Sequence, residues 1–438
     1  MNAPQQQFEP AGEGSDRGRH LTAADRSFVT GWGPFSGLIE GLIGKGLRKA
    51  LDRIDAGLEA GSLEAHLPDG THRVLGRRGE GPKAEIALTS WRALLRLGQS
   101  GSVGWYKAWE LGEWHSPDPV PIFDLFTRNR VALGNAARAS GLAHLANRIA
   151  HLFRSNSKSG AQKNIAFHYD LGNDFYAAWL DDSMTYSSAL FAESIADTEP
   201  LEQAQQRKIQ AISDRLQVGA GDKVWEIGCG WGALSRHIAA ETRAQVTGIT
   251  LSQQQLEAAR VAASISADND RLDYQLIDYR DVEGQFDAIA SVEMVEAVGM
   301  EYWPAFLDQI VARLKPGGRA ALQYITIADD IFEKYASSAD FIQTYIFPGG
   351  HLLSENRFRA LAEERGLIWT DQHNFGLHYA ETLRRWRLRF DSAFAEGRLP
   401  SGFDKRFINL WRYYLMYCEG GFRGGGIDVA QVTLVKPG

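Results

Sequence analysis

Residues 223–232 read KVWEIGCGWG, a short apolar run closed by glycines at 228, 230 and 232. Glycines after a strand let the backbone approach a ligand closely, and the following helix N-terminus offers free amides. Outward from this turn the pattern alternates. ALSRHIAAETR (233–243) reads as helix, AQVTGITLS (244–252) as strand and SQQQLEAARVAASI (252–265) as helix. LDYQLIDY (272–279) and FDAIASVEMVEAVG (286–299) hold the third and fourth strands. PAFLDQIVARLKPGG (304–318) is a helix with a glycine stop, and RAALQYITI (319–327) a fifth strand. LIWTDQHNFG (367–376) and VAQVTLVKP (429–437) are candidates for the last two. Such alternation implies an α/β fold, a doubly wound sheet covered by helices. Two aromatic-rich helical stretches, 330–360 and 380–425, would lie over the sheet's carboxyl edge as a lid.

The glycine turn by itself fits a dinucleotide fingerprint, which is a weak signal. Three features argue against NAD. An acidic residue, Glu226, precedes the first glycine. The second strand ends in Thr250-Leu251-Ser252, with no carboxylate for a ribose hydroxyl, and the third ends in Asp278, placed to read an adenine edge. E-x-G-x-G-x-G with that aspartate resembles the S-adenosylmethionine (AdoMet) methyltransferases, so the expected fold is a Rossmann-like class I AdoMet methyltransferase sheet.

The rest of the chain sets limits. It has 438 residues, enough for two or three domains. Net charge is −7, which excludes a chain that is basic throughout and built for nucleic acid. Two cysteines, Cys229 and Cys418, exclude a disulfide framework and a cysteine-based zinc site, and no metal is expected. They suit a reducing cytoplasm. No run approaches the roughly 18 apolar residues of a membrane span. Residues 1–33 read as a disordered tail without a secretory signal. Residues 34–125 are expected to be a small N-terminal α+β domain. It opens with a helix whose apolar stripe (Leu38, Leu42, Leu47, Leu51) is interrupted by Lys45, Arg48, Lys49 and Arg53. That helix either packs on its own domain, the preferred reading, or rests on an anionic membrane. Residues 126–163 hold seven Lys or Arg and no Asp or Glu: a basic linker, or a docking surface for phospholipid headgroups.

Upstream of the glycine turn lie HYDLGNDFY (168–176) and LDDSMTYSS (180–188). With GCGWG (228–232), GITLSQ (248–253), YIFPGG (345–350), HNFGLHYAETLRRW (373–386) and GGFRGGGIDVAQV (420–432), they closely resemble the cyclopropane-fatty-acid synthase family over residues 164–435. The AdoMet methyltransferase domain is therefore expected over 164–438. The family methylates double bonds in the acyl chains of membrane phospholipids. The resemblance implies that Tyr186 and Ser187 close over the methionine end of AdoMet, and that Glu226, Gly228 and Gly230 hold methionine and ribose. Thr250 and Gln255 would reach the ribose, Asp278 and Tyr279 frame the adenine, and Val292 line the site. It also implies a homodimer, cytoplasmic and peripherally attached to a bilayer with unsaturated acyl chains.

An alkene has no proton to lose before it reacts, so it can attack only a strongly electrophilic methyl. The resulting carbocation must be kept from water, stabilised by aromatic faces or a carboxylate, and deprotonated by a base. Loss of the proton from the new methyl closes a cyclopropane; loss elsewhere leaves a methyl-branched or methylene chain. In the family, bicarbonate is that base, held by a cysteine, a glutamate, a histidine and a tyrosine. Here Glu296 and Tyr379 match, while Ser188 replaces the cysteine and Gln323 the histidine, and Ala297 stands where a second histidine usually follows the glutamate. Ser188 and Gln323 can still hydrogen-bond an anion. Bicarbonate is therefore a second ligand whose binding these departures put in question. His168 and His378 are read as orienting loops, and Cys229 as a space-filler. Two other readings compete with acyl-chain methylation: a family member acting on an already methylated chain, as in a route to furan fatty acids, and a non-catalytic AdoMet- or lipid-binding partner. A small soluble acceptor is disfavoured, because it needs neither the basic linker nor the aromatic C-terminal segment.

Overall fold

The computed structural model describes residues 17–23, 36–134, 171–192, 195, 198–337 and 340–438. Most of the basic linker and of the expected tail, His168 and the start of its motif, and the side chains of the first half of the amphipathic helix lie outside the described residues.

Seven strands form the main sheet: β5 (Lys223–Ile227), β6 (Gln245–Thr250), β7 (Leu272–Leu276), β8 (Phe286–Val292), β9 (Leu314–Ile327), β10 (Ile368–Asn374) and β11 (Ile427–Val435). Their spatial order is β10-β11-β9-β8-β5-β6-β7. The five strands from β5 to β9 run parallel, and β11 enters antiparallel beside β9 with Gln431 opposite Gln323. Strand order reverses between β5 and β8, the place where doubly wound sheets open a crevice for ligands. Each strand predicted from the sequence is present. The central ones are apolar on both faces because helices cover both sides.

The N-terminal part has its own four-stranded sheet in the order β2-β1-β3-β4, from β1 (Ser62–His66), β2 (His72–Gly76), β3 (Lys83–Leu88) and β4 (Trp114–His115). Its interior does not close on itself. One buried cluster runs from Leu47 and Ile86 through Tyr106 and Phe123 to Phe341, Tyr413 and Phe422 of the C-terminal helices. Tyr106 meets Phe341 at 5.0 Å, Tyr345 at 4.8 Å and Tyr413 at 5.0 Å between ring centroids. Gly420, in the helix Lys405–Arg423, lies so near the helix Val120–Arg128 that an added Cβ would sit 2.3 Å from Phe123 Cβ. Arg406 and Glu110 form an ion pair across the same seam.

Part of the stretch expected to be a disordered tail is described as ordered. Arg17 donates to Asp174 at 2.9 Å, and the one-turn helix Arg19–Thr22 buries Leu21 completely. The pull is local: a guanidinium finds a carboxylate, and a leucine finds an apolar seat. Among the described residues, no helix is long and apolar enough to cross a membrane.

Candidate active site

The glycine turn after β5 takes the shape its composition demands. Gly228, Gly230 and Gly232 have φ of 81°, 53° and 80°, a region that L side chains rarely enter. A Cβ at Gly228 would sit 2.8 Å from Met294 Cγ, so that glycine also allows close packing. A Cβ at Gly230 would meet nothing within 4 Å, because that residue faces the cavity: it would fill the cradle itself. A cofactor laid along this turn therefore fits.

The cavity has a volume of about 560 Å³, within the usual range for small-molecule sites. Tyr186, Ser187, Glu226, Gly228, Gly230, Thr250, Gln255, Tyr279 and Val292 all line it, as expected of cofactor contacts. Thr250 Oγ1 donates to Gln255 Oε1 at 2.9 Å, and Ser252 caps the helix Gln253–Ser264 by accepting from Gln255 N–H. Glu226 is buried at the end of β5 and accepts from Ser235; burial pushes its carboxyl up to about 7. A cationic ligand beside it would restore its charge. Asp278 departs from expectation, since it does not line the cavity. The guanidinium of Arg280 donates to both its oxygens, at 2.7 and 2.6 Å, and the Arg280 N–H adds a third bond. A carboxylate so engaged would have to exchange partners to read an adenine.

The four residues expected around bicarbonate do not surround an open space. Ser188 and Gln323 are fully buried behind the cavity wall, and what they hold is the side chain of Glu293. Glu293 Oε1 accepts from Ser188 N–H at 2.8 Å and from Gln323 Nε2 at 2.8 Å. Glu293 Oε2 accepts from Tyr379 OH at 2.7 Å. Gln323 is oriented in turn, because its Oε1 accepts from Gln431 Nε2 at 3.0 Å across the β9–β11 pair. Glu296, the glutamate expected in this role, hydrogen-bonds to none of the three. Its Oε1 accepts from Ile325 N–H, and its Oε2 has no partner among the described residues.

Both carboxyls open onto the cavity and are otherwise enclosed by protein. Burial raises the pKa of each, and the two repel one another. Glu293 has three donors and the nearby Lys208 ammonium to stabilise its charge, whereas Glu296 has only backbone N–H groups and faces a negative neighbour. Of the two, Glu293 is therefore the better placed to carry the charge, and Glu296 the more readily protonated. Glu293 also has φ of 50°, a left-handed backbone in a non-glycine residue. Such strain costs on the order of 1–3 kcal/mol and collects at functional sites.

Lys208 escaped the sequence reading. It is buried on the helix Leu201–Leu216, its Nζ donates to Ser187 Oγ at 2.6 Å, and burial pulls its pKa down to about 8. The available signal was a lysine three residues after Gln205 on the stripe that carries Leu201, Ala204 and Ile212. Aromatic rings close the far side: Tyr186 lies 5.3 Å from Trp386 and 5.4 Å from Tyr176, and its OH is 2.9 Å from that of Tyr414. His378 Nδ1 accepts from Phe191 N–H at 2.9 Å, which is the loop-orienting role expected of it.

A glycine cradle at the β5/β8 switch point, beside a carboxylate and a ring of aromatics, belongs to class I AdoMet-dependent methyltransferases. The family model described as mycolic acid cyclopropane synthetase matches residues 156–432, and the chain belongs to that family. It is 38% identical over 352 residues to a tuberculostearic acid methyltransferase of Mycobacterium tuberculosis, covering 78% of this chain and 81% of the relative. It is 34% identical over 357 residues to the cyclopropane-fatty-acyl-phospholipid synthase of Escherichia coli strain K12, covering 81% and 88%. Among solved structures, a mycolic acid cyclopropane synthase complexed with SAH and CTAB superposes with a TM-score of 0.58 at 29% identity, covering 63% of this chain and 98% of that one. The cofactor is AdoMet, and the relatives act on lipids.

Proposed function

We propose that this enzyme methylates the double bond of an unsaturated acyl chain in a membrane phospholipid, and that Glu293 removes the proton lost afterwards. The observation that carries the reading is the Glu293 carboxylate, fixed by Tyr379, Ser188 and Gln323 in the wall of the cavity that also holds the cofactor cradle. Those three donors are the ones that the family resemblance gives to a bound bicarbonate. A carboxylate tethered to the chain has the same shape and charge as that ion, so it supplies the base without a diffusible partner.

AdoMet, when bound, supplies an electrophilic methyl group on a sulfonium. Gly228 and Gly230 let the backbone approach it, and Glu226 and Ser187 line the same cavity. Tyr186, Tyr379 and Tyr414 present aromatic faces to positive charge at the acceptor carbon. The buried lining keeps water from that centre. Glu293 enters the step charged and leaves it protonated. Tyr379 and Gln323 hold the carboxylate in place throughout.

The test is incubation of the purified protein with unsaturated phosphatidylglycerol vesicles and methyl-labelled AdoMet, followed by mass spectrometry of the released fatty acids. A gain of one CH2 unit is expected. Ozonolysis then separates a ring from a retained, branched alkene. No gain with AdoMet bound would refute the reading, and would leave an already modified acyl chain or a non-catalytic role.

A further inference from the structure

The cavity does not end at the cofactor cradle. From Glu293 it continues past Phe347 and Ile342 to Phe123, Phe126 and Leu133 of the N-terminal part, so two sheets' worth of structure wall a single space. Aliphatic and aromatic side chains make up most of this arm, with Ser102, Thr127, Asp340 and Gln343 among them. Three cationic residues line the cavity among the described residues: Lys208, buried beside Ser187, and Arg130 and Lys334 at the far end. Arg130 opens the one-turn helix Arg130–Leu133, and Lys334 lies in the helix Asp329–Ala336. The two helices face each other across the seam, where Arg130 Nε and Asp330 lie 3.3 Å apart. The Lys334 side chain is exposed.

We propose that this far end is the entry for the lipid, and that Arg130 and Lys334 hold the phosphate of its headgroup while one acyl chain runs inward to Glu293. The proposal rests on the acyl-methylation reading above and adds to it the site that recognises the headgroup. A mainly apolar arm with two cations at its outer end is complementary to an acyl chain carrying an anionic phosphate. Asp330 is the lock: a phosphate reaching Arg130 competes with that carboxylate for the guanidinium.

The test uses the full chain and two acceptors with the same acyl groups, dioleoylphosphatidylglycerol and dioleoylglycerol, presented in the same mixed micelles. For R130A/K334A the KM for the phospholipid should rise about tenfold or more, the effect expected for losing charged hydrogen bonds, with kcat and the KM for dioleoylglycerol unchanged. D330N breaks the ion pair but keeps both cations, so it should leave the phospholipid KM equal or lower. Calorimetric binding of dihexanoylphosphatidylglycerol with S-adenosylhomocysteine present gives a readout without turnover, and R130A/K334A should weaken it to the same degree. The proposal is overturned if R130A/K334A handles the phospholipid as the wild type does, if dioleoylglycerol suffers equally, or if D330N reproduces the loss. Should the wild type bind the short phospholipid through these residues yet methylate neither acceptor, the headgroup site stands and the methylation reading falls.

Discussion

Glu293→Gln changes one oxygen for an NH2 and separates the base from its surroundings. The carbonyl of the substituted amide can take the place of Glu293 Oε1, accepting from Ser188 N–H and Gln323 Nε2, which now lie at 2.8 Å. The new NH2 can then donate to Tyr379 OH, which now meets Glu293 Oε2 at 2.7 Å, because a phenol hydroxyl accepts as well as donates. All three bonds survive in neutral form, each weaker than its charged counterpart by about 1 kcal/mol. Removal of a buried charge offsets that loss, so the fold should survive with Tm little changed. Catalysis should suffer far more. Loss of a positioned general base lowers kcat by about 10²–10⁴-fold, whereas AdoMet affinity should stay within a few-fold, because the cradle is untouched. The assay is release of S-adenosylhomocysteine over unsaturated phospholipid vesicles, with AdoMet affinity read from quenching of Trp231, which lines the cavity. Glu296→Gln is the control, since its Oε2 has no partner among the described residues and it is the more readily protonated of the two carboxyls. The reasoning fails if Glu293→Gln keeps more than about a tenth of the wild-type kcat, or if Glu296→Gln is the more damaging of the two.

Further outcomes are expected. Stripping dissolved bicarbonate should not slow the wild type, whereas Glu293→Gly, at φ of 50°, should be slow and be rescued by added bicarbonate; dependence of the wild type on the ion would contradict a built-in carboxylate. Activity should rise with pH on the acid side, because Glu293 works only when charged, and the midpoint should lie above the ordinary carboxylate range, since burial raises that pKa. Lys208→Met should move that midpoint higher still, because the lysine's charge holds the Glu293 pKa down; a pH–rate profile reads both. Tyr379→Phe removes one donor from a charged acceptor and should lower kcat about tenfold or more, with the aromatic contact to Phe422, 4.5 Å between centroids, retained. Gly228→Ala puts a Cβ 2.8 Å from Met294 Cγ at φ of 81°; AdoMet affinity and Tm should both fall, by calorimetry and thermal denaturation.

Much of this was legible in the sequence. The seven strands could be placed because apolar runs and glycine stops recur at the spacing of a doubly wound sheet, and nine of ten expected cofactor contacts line the cavity. The choice between Glu293 and Glu296 was not legible. Three residues apart after β8, they differ through a left-handed φ and the position of three donors drawn from β9, the 181–188 loop and the helix Gly376–Ala395. Motif matching favoured Glu296 because it reads side-chain types in order and knows nothing of backbone direction. The engagement of Asp278 by Arg280 was hidden for a similar reason: the two are only two residues apart, and the sequence does not say whether an arginine turns towards its neighbour. The continuity of the N-terminal part with the C-terminal helices was hidden because their shared core joins residues hundreds of positions apart.

That shared core bears on how the chain is made. Glu110 and its partner Arg406 are 296 residues apart, and Tyr106 waits for Tyr413 over a similar length. At a synthesis rate of about 5–20 residues per second, the small sheet emerges roughly 15–60 s before the helix that covers it. For that interval Tyr106 and Phe123, on the helices that accompany the sheet, have no native cover and are a target for holding chaperones and for self-association. The N-terminal sheet is thus the first part to form and among the last to be completed, and the yield of folded enzyme should depend on what shields Tyr106 and Phe123 while the rest of the chain is still on the ribosome.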